Sequence, residues 1–234
     1  MRLAVVTGAS SGIGAALVRA LRARGVHVVG ISRRPSEADE HEECDVADRE
    51  AVEAAARRVL ERHGTLDLLV CNAGVGARAG FLDAAPETIE RVVDVNYLGN
   101  LWTVRAFLPG LHHGSHVANV VSVAGTVAVG PYSASKHAQL ALSRALAVDL
   151  APRGISVHTI NPGWVETPGF PHRDRFGPLL ARIVVDPELV AKRLIGAVEH
   201  GRMEITVPHW YAPAGWFQSL APGLLARARS RAGR

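Results

Sequence analysis

Lysine is nearly missing from this 234-residue chain: Lys136 and Lys192 are the only two, against 26 lysines and arginines together. Arginine does almost all the cationic work, so a lysine kept at a particular place invites a chemical reason. Cysteine is equally scarce, with only Cys44 and Cys71, which leaves a disulfide framework or a cysteine-based metal site without support. Both fall at or near the ends of expected strands, where a free thiol packs as a small hydrophobe. No run of eighteen apolar residues occurs, which excludes a membrane-spanning helix. The opening "MRLAVVTGASSGIG" has neither a charged leader nor a long apolar segment, so the expectation is an unprocessed cytoplasmic protein. Acidic residues stop at Glu204 while Arg227, Arg229, Arg231 and Arg234 follow, so the net charge of +4 gathers in a tail. A basic tail, as opposed to a basic face on the folded domain, argues against nucleic-acid binding. His112, His113 and His116 lie close together, but no carboxylate or cysteine beside them completes a ligand set; a surface loop is expected, and no metal.

With 48% apolar and 21% charged residues, the chain reads as one globular domain. Short β-branched runs alternate with longer stretches of helical period, the pattern of a doubly wound α/β sheet with helices on both faces. The expected strands are 3–6, 26–31, a short one ending at Cys44, 66–70, 116–122, 155–160 and 204–207, seven in all and mostly or wholly parallel. "DREAVEAAARRVLERHG" illustrates the helices, with Asp48 as cap, Val52, Ala55, Val59 and Leu60 on one stripe, and Gly64 as the stop. The expected division is a dinucleotide-binding and catalytic domain over 1–208 and an aromatic and basic extension over 209–234. That extension holds Trp210, Tyr211, Trp216 and Phe217 ahead of its arginines. It reads as an arm on a neighbouring subunit or over the pocket, or as a short packed helix, ahead of an interfacial element meeting anionic lipid.

Two stretches carry chemistry. "VVTGASSGIG" follows the first strand and opens the first helix. Gly8, Gly12 and Gly14 permit a tight turn, a close backbone approach to a pyrophosphate, and helix packed against strand, while the helix N-terminus offers free N–H groups. Further on, "SVAGTVAVGPYSASK" sets Tyr132 and Lys136 four apart, on one face of an expected helix. A tyrosine of ordinary pKa near 10 is a poor acid or base at neutral pH, and an adjacent ammonium is expected to lower that value. At the end of the second strand, "VVGISRRP" has Ser32 where an acidic residue usually binds the adenosine ribose, followed by Arg33 and Arg34. An arginine there matches a 2′-phosphate, so NADP(H) is expected over NAD(H).

Seven stretches in order, "TGASSGIG", "CDV", "CNAG", "VNYLG", "SVAG", "YSASK" and "NPGWVET", make this chain resemble the short-chain dehydrogenase/reductase family in its compact single-domain form. The resemblance implies a Rossmann fold and an oxidoreductase moving hydride between nicotinamide and a carbonyl or alcohol. By that resemblance Asn96, Ser122, Tyr132 and Lys136 form the catalytic set. Tyr132 exchanges the proton, Ser122 binds the same substrate oxygen, and Asn96 holds a water behind Lys136. The implied cofactor-binding residues are Gly8, Ser10, Ser11, Gly12, Ile13 and Gly14 at the turn, Ser32, Arg33, Asp45 and Val46 around the adenosine, and Asn72, Ala73 and Gly74 after the fourth strand. Pro162, Gly163, Val165 and Thr167 are implied beside the nicotinamide, together with Tyr132 and Lys136. A homodimer or homotetramer is implied too.

Two departures from the family pattern stand out. Cys71 replaces a more usual asparagine and reads as packing. Only nine residues separate Ser122 from Tyr132, a short wall for the substrate pocket, with Phe170, Phe176, Leu179 and Leu180 as a small apolar lid. A catalytically silent NADP(H)-binding sensor or scaffold on the same fold is the competing reading. An extended-branch epimerase would need a longer substrate domain.

Overall fold

The computed structural model describes residues 1–127, 130–168, 170, 173, 180–213, 220 and 223. Seven strands form one sheet: β1 (Leu3–Thr7), β2 (His27–Ser32), β3 (Glu40–Glu43), β4 (Leu66–Cys71), β5 (Leu111–Val120), β6 (Ser156–Pro162) and β7 (Glu204–Val207). Their spatial order is β3-β2-β1-β4-β5-β6-β7, and every neighbouring pair is parallel. Strand order reverses between β1 and β4, and the crevice beyond the carboxyl ends of two such strands is where open α/β sheets bind ligands.

Alternation along the strands divides the core in two. Ala4 and Val6 of β1, with Leu68 and Val70 of β4, face α1 (Gly12–Arg22) and α6 (Pro187–Glu199). Leu3, Val5, Leu66 and Leu69 face the other way, onto α2 (Arg49–His63), α4 (Gly99–Phe107) and α5 (Pro131–Leu150). Period-two burial on both sides is what a covered parallel sheet demands. The helix boundaries have local causes. The Asp48 side chain accepts from the Ala51 N–H at 3.0 Å to start α2, and Gly64, at φ 73°, ends it. Pro131 occupies the first turn of α5, where its missing N–H leaves no hydrogen bond unmade. No helix among the described residues is long and apolar enough to cross a membrane.

The expected strands are all present, with shifted ends. The largest difference is β5, which starts at Leu111 and stops at Val120, so Ser122 lies beyond the strand. Leu111 pairs with Leu66 and His116 with Leu68, so residues 112–115 bulge out between them. The Ser115 hydroxyl donates to the Leu66 carbonyl at 2.8 Å and accepts from the His112 N–H at 3.0 Å, holding the bulge closed. His112 and His113 sit exposed on it, but His116 does not belong to a surface loop: its Nδ1 lies 3.0 Å from Nε2 of the buried His158.

The reversal point is tied by one side chain. The Thr7 hydroxyl donates to the Val70 carbonyl at 3.3 Å and accepts the Asn72 and Ala73 N–H groups at 2.9 and 3.1 Å. That uses the whole hydrogen-bonding capacity of a hydroxyl. Thr7→Val, which keeps the shape but strands two N–H groups, should cost about 2–4 kcal/mol in urea unfolding, whereas Thr7→Ser should recover most of it. Equal losses in the two variants would show that shape and not hydrogen bonding matters at Thr7.

Candidate active site

The glycine turn runs from the end of β1 to the start of α1, with Gly8 at φ 66° and Gly12 at φ 55°, a region L side chains seldom enter. Gly14 is required for another reason: a Cβ there would overlap the Gly8 carbonyl and come within 2.7 Å of the Asn72 amide nitrogen. Ser11 is the N-cap of α1 but makes no side-chain cap bond, and Ser10 and Ile13 are partly exposed beside it. Ser11 therefore leaves the first N–H groups of α1 without a side-chain cap, as a phosphate site needs.

Asn72 serves the turn from behind. Its amide nitrogen donates to the Thr7 carbonyl at 3.0 Å and to the Gly8 carbonyl at 3.4 Å, so the side chain holds the turn in place. Ala73 follows, and then Gly74, where an added Cβ would stand 3.3 Å from Asn96 Oδ1 and 3.6 Å from Lys136 Nζ. The turn after β4 thus meets the expected catalytic set directly.

Asn96 is fully buried in a five-residue π-helical turn, Asp94–Leu98, which joins α3 (Pro86–Val93) to α4. Such turns widen a helix locally and recur at functional sites. The Asn96 amide clasps Val75, accepting its N–H at 2.8 Å and donating to its carbonyl at 3.0 Å, and donates also to the Ser135 hydroxyl at 2.9 Å. Ser135, on α5, is therefore a supporting residue that sequence reasoning passed over.

Ser122 and Tyr132 do meet: the Ser122 side chain acts on the phenol and favours its ionised form. The Ser122 oxygen also accepts the Ala124 N–H at 3.0 Å and lies 3.4 Å from the Pro162 carbonyl. Nine residues are thus enough to bring the two together, although Ala128 and Val129 within that loop lie outside the described residues.

Electrostatics at Tyr132 and Lys136 differ from the expectation. Lys136 Nζ stands 5.9 Å from the centre of the Tyr132 ring and is 3% exposed. Burial lowers the Lys136 pKa to about 7. Burial likewise raises that of Tyr132, and the Ser122 hydrogen bond only partly offsets the rise. Desolvation, not the ammonium, sets the tyrosine in this arrangement. Lys136 donates to the Gln139 side-chain carbonyl at 2.7 Å and to the Val120 carbonyl at 3.2 Å. Gln139 is the principal residue missed from sequence. Its signal was a polar side chain one turn after Lys136 on the inward face of α5.

Around the expected adenosine pocket, Asp45 binds Arg91 of α3 at 2.6 Å, and Arg33 approaches the same carboxylate at 4.0 Å. Burial works against the charged form, but Arg91, the Ala47 N–H and Arg33 hold the Asp45 pKa below the usual range. The Arg33 side chain is 64% exposed. Ser32 turns inward instead and donates to the Arg34 carbonyl at 2.7 Å, and Val46 is buried against Gly99. Pro162 ends β6, the Gly163 N–H donates to Val207 at 2.8 Å, and the Val165 side chain packs in the core. Thr167 lies against the turn, its methyl 2.9 Å from where a Gly12 Cβ would be. Of the expected lid, Phe170 packs on Gly76 and under Arg78, 5.4 Å from its ring centre, and Leu180 opens a short helical turn; Phe176 and Leu179 lie outside the described residues. Of the extension, Tyr211 covers Gly163 and donates to the Ile183 carbonyl at 3.2 Å; Trp210 is exposed, and Trp216, Phe217 and the terminal arginines lie outside the described residues.

A reversed parallel sheet, a glycine turn without a side-chain cap, a serine just after β5 and a tyrosine and lysine on α5 are the arrangement of an NAD(P)-dependent oxidoreductase of the α/β class. A family model described as short chain dehydrogenase matches residues 2–175, and the chain belongs to the short-chain dehydrogenase/reductase family. It is 34% identical to an uncharacterized oxidoreductase of Staphylococcus saprophyticus, over 85% of this chain and 91% of that one. It is 36% identical to 2-(R)-hydroxypropyl-CoM dehydrogenase of Xanthobacter autotrophicus, over 71% and 76% of the respective chains. Among solved structures, a short chain dehydrogenase of Burkholderia cenocepacia in complex with NADP superposes with a TM-score of 0.83 at 29% identity, covering 98% of this chain and 99% of that one.

The Lys136–Gln139 contact has a signed consequence. With its folded pKa near 7, below its unfolded value of 10.5, Lys136 is charged in the native state only below about pH 7, and only there does the native state need Gln139 as acceptor for an ammonium. Gln139→Leu should therefore cost about 1–2 kcal/mol at pH 6 and clearly less at pH 9 in urea unfolding. A penalty independent of pH would mean that Gln139 is simply packing.

Proposed function

We propose that this oxidoreductase is NADP(H)-dependent and reduces a carbonyl or oxidises an alcohol, with Tyr132 as general acid or base. The observation that supports it most is the meeting of Asn96 and Lys136 at Gly74, with the Tyr132 ring 5.9 Å from Lys136 Nζ and Ser122 acting on Tyr132. The turn fits a dinucleotide: Gly8 and Gly12 leave the backbone open, and α1 presents unpaired N–H groups to a pyrophosphate. Bound nicotinamide supplies or accepts the hydride. Tyr132 passes the proton to or from the substrate oxygen, and Ser122, set beside the phenol, orients that oxygen. Lys136, kept out of water, stabilises a phenolate through its charge when both are ionised, and Asn96 keeps the turn after β4 at the correct distance. Exposed Arg33, with Ser32 in place of an acid, is the element that favours a 2′-phosphate.

Tyr132→Phe should lower kcat by about 100- to 10,000-fold in NADPH-coupled reduction of ketones, aldehydes or quinones, while NADPH binding measured by fluorescence stays near wild type. If wild type binds NADPH tightly yet turns over nothing in a broad panel, the silent binding protein becomes the better reading. For the cofactor, Arg33→Ala should weaken NADPH by about 10- to 100-fold and leave NADH nearly unchanged; parallel losses would remove Arg33 from the 2′-phosphate.

A further inference from the structure

At the opposite edge of the sheet, three side chains from three elements converge. His27 opens β2, Glu40 opens β3 and His63 closes α2. Nε2 of His27 and Nε2 of His63 each lie 2.8 Å from the same oxygen, Glu40 Oε1, and the imidazole rings are 5.4 Å apart. All the candidate ligand atoms fall within 4.8 Å of one another.

We propose that His27, Glu40 and His63 form a surface site for a first-row divalent cation of the zinc type, clipping the amino-terminal ends of β2 and β3 to the end of α2. Two imidazole nitrogens and one carboxylate oxygen are a ligand set such ions take, with the fourth position left to water. Around a tetrahedral ion with bonds of about 2.0–2.2 Å, ligand atoms stand roughly 3.3–3.5 Å apart. The observed separations of 2.8 Å from Glu40 Oε1 need to open by only a fraction of an ångström.

Pairing of charge alone does not account for the arrangement. Arg62 Nε already donates to the other carboxylate oxygen, Glu40 Oε2, at 3.0 Å, so Glu40 has a cationic partner without either histidine. The same bond fixes the carboxylate with Oε1 turned to the imidazoles, as a second hydrogen-bonded layer does at metal sites. Arg62 in turn binds Glu42 at 2.7 Å, which offsets its positive charge beside a cation. The site lies a full strand length, about 16 Å, from Ser32 at the far end of β2. Its role is to stabilise, not to catalyse.

Isothermal titration of the full chain with Zn²⁺, and with Co²⁺ for its visible absorption, tests this. One ion per chain at micromolar affinity is expected, weakened roughly tenfold or more by His63→Ala and by Glu40→Gln, each checked by thermal unfolding for an intact fold. A His112→Ala/His113→Ala variant, which removes other exposed imidazoles, should bind as wild type does. At hundredfold excess over Kd, Zn²⁺ should raise Tm by about 5 °C in wild type and not in Glu40→Gln, with turnover unchanged. The proposal fails if no ion binds at micromolar concentrations. It fails equally if binding survives both His63→Ala and Glu40→Gln, or if it disappears with His112 and His113.

Discussion

A ligand crevice at the reversal of a parallel sheet requires β1 and β4 to lie side by side and yet send their chains in different directions. The Thr7 hydroxyl resolves this. It joins the carboxyl end of β1 to the first two residues after β4, and Asn72, held there, reaches back to the Thr7 and Gly8 carbonyls. The glycine turn is therefore positioned by β4, not by its own residues alone. Two residues on, Gly74 abuts Asn96 and Lys136, so one short path leads from the β1–β4 junction to the reacting groups. Loss of the junction would disturb the proposed phosphate site and the proposed catalytic set together, which separate scaffolds would not.

The interior behind that path is unusually polar. Asn100 donates to Asn119 at 3.1 Å, Asn119 to Ser143 at 2.9 Å, and Ser143 shares a hydrogen with Thr159 at 2.7 Å. Asn100 Oδ1, Gln139 Nε2 and Asn161 Oδ1 are buried without a partner. A buried ammonium bound only by two neutral carbonyls adds to the cost. An apolar core would be more stable, and such breaches of local consistency gather at functional sites. One of them, Gln139, holds Lys136, whose neutral and charged forms lie close in free energy near pH 7.

What was legible from sequence was what is contiguous. The glycine turn, "YSASK" and the strand alternation each lie in a single short run, so spacing was enough to read the seven strands, the parallel sheet and the face shared by Tyr132 and Lys136. Contacts between distant residues left no such trace. Arg91 meets Asp45 across 46 positions, and His63 meets Glu40 across 23. The start of β5 was missed because residues 112–115 break the alternation, and only pairing of Leu111 with Leu66 identifies the strand there. The sign of the Tyr132 shift was misread for a related reason. Helical spacing gives distance along the helix, but desolvation depends on how the whole fold covers the side chain, which spacing does not carry.

The proposed role of Arg33 depends on a residue that lies nowhere near it in sequence. Asp45 would otherwise be the nearest anion to that guanidinium, and a guanidinium committed to a carboxylate has less to offer a phosphate. Arg91 settles the competition: it holds Asp45 at 2.6 Å, while Arg33 stands off at 4.0 Å with its side chain largely in solvent. The pair divides the work, one arginine neutralising the partly exposed acid and the other remaining open. A pocket with Asp45 and Arg33 alone would pull the arginine inward, and the charge that distinguishes the two cofactors would be spent within the protein.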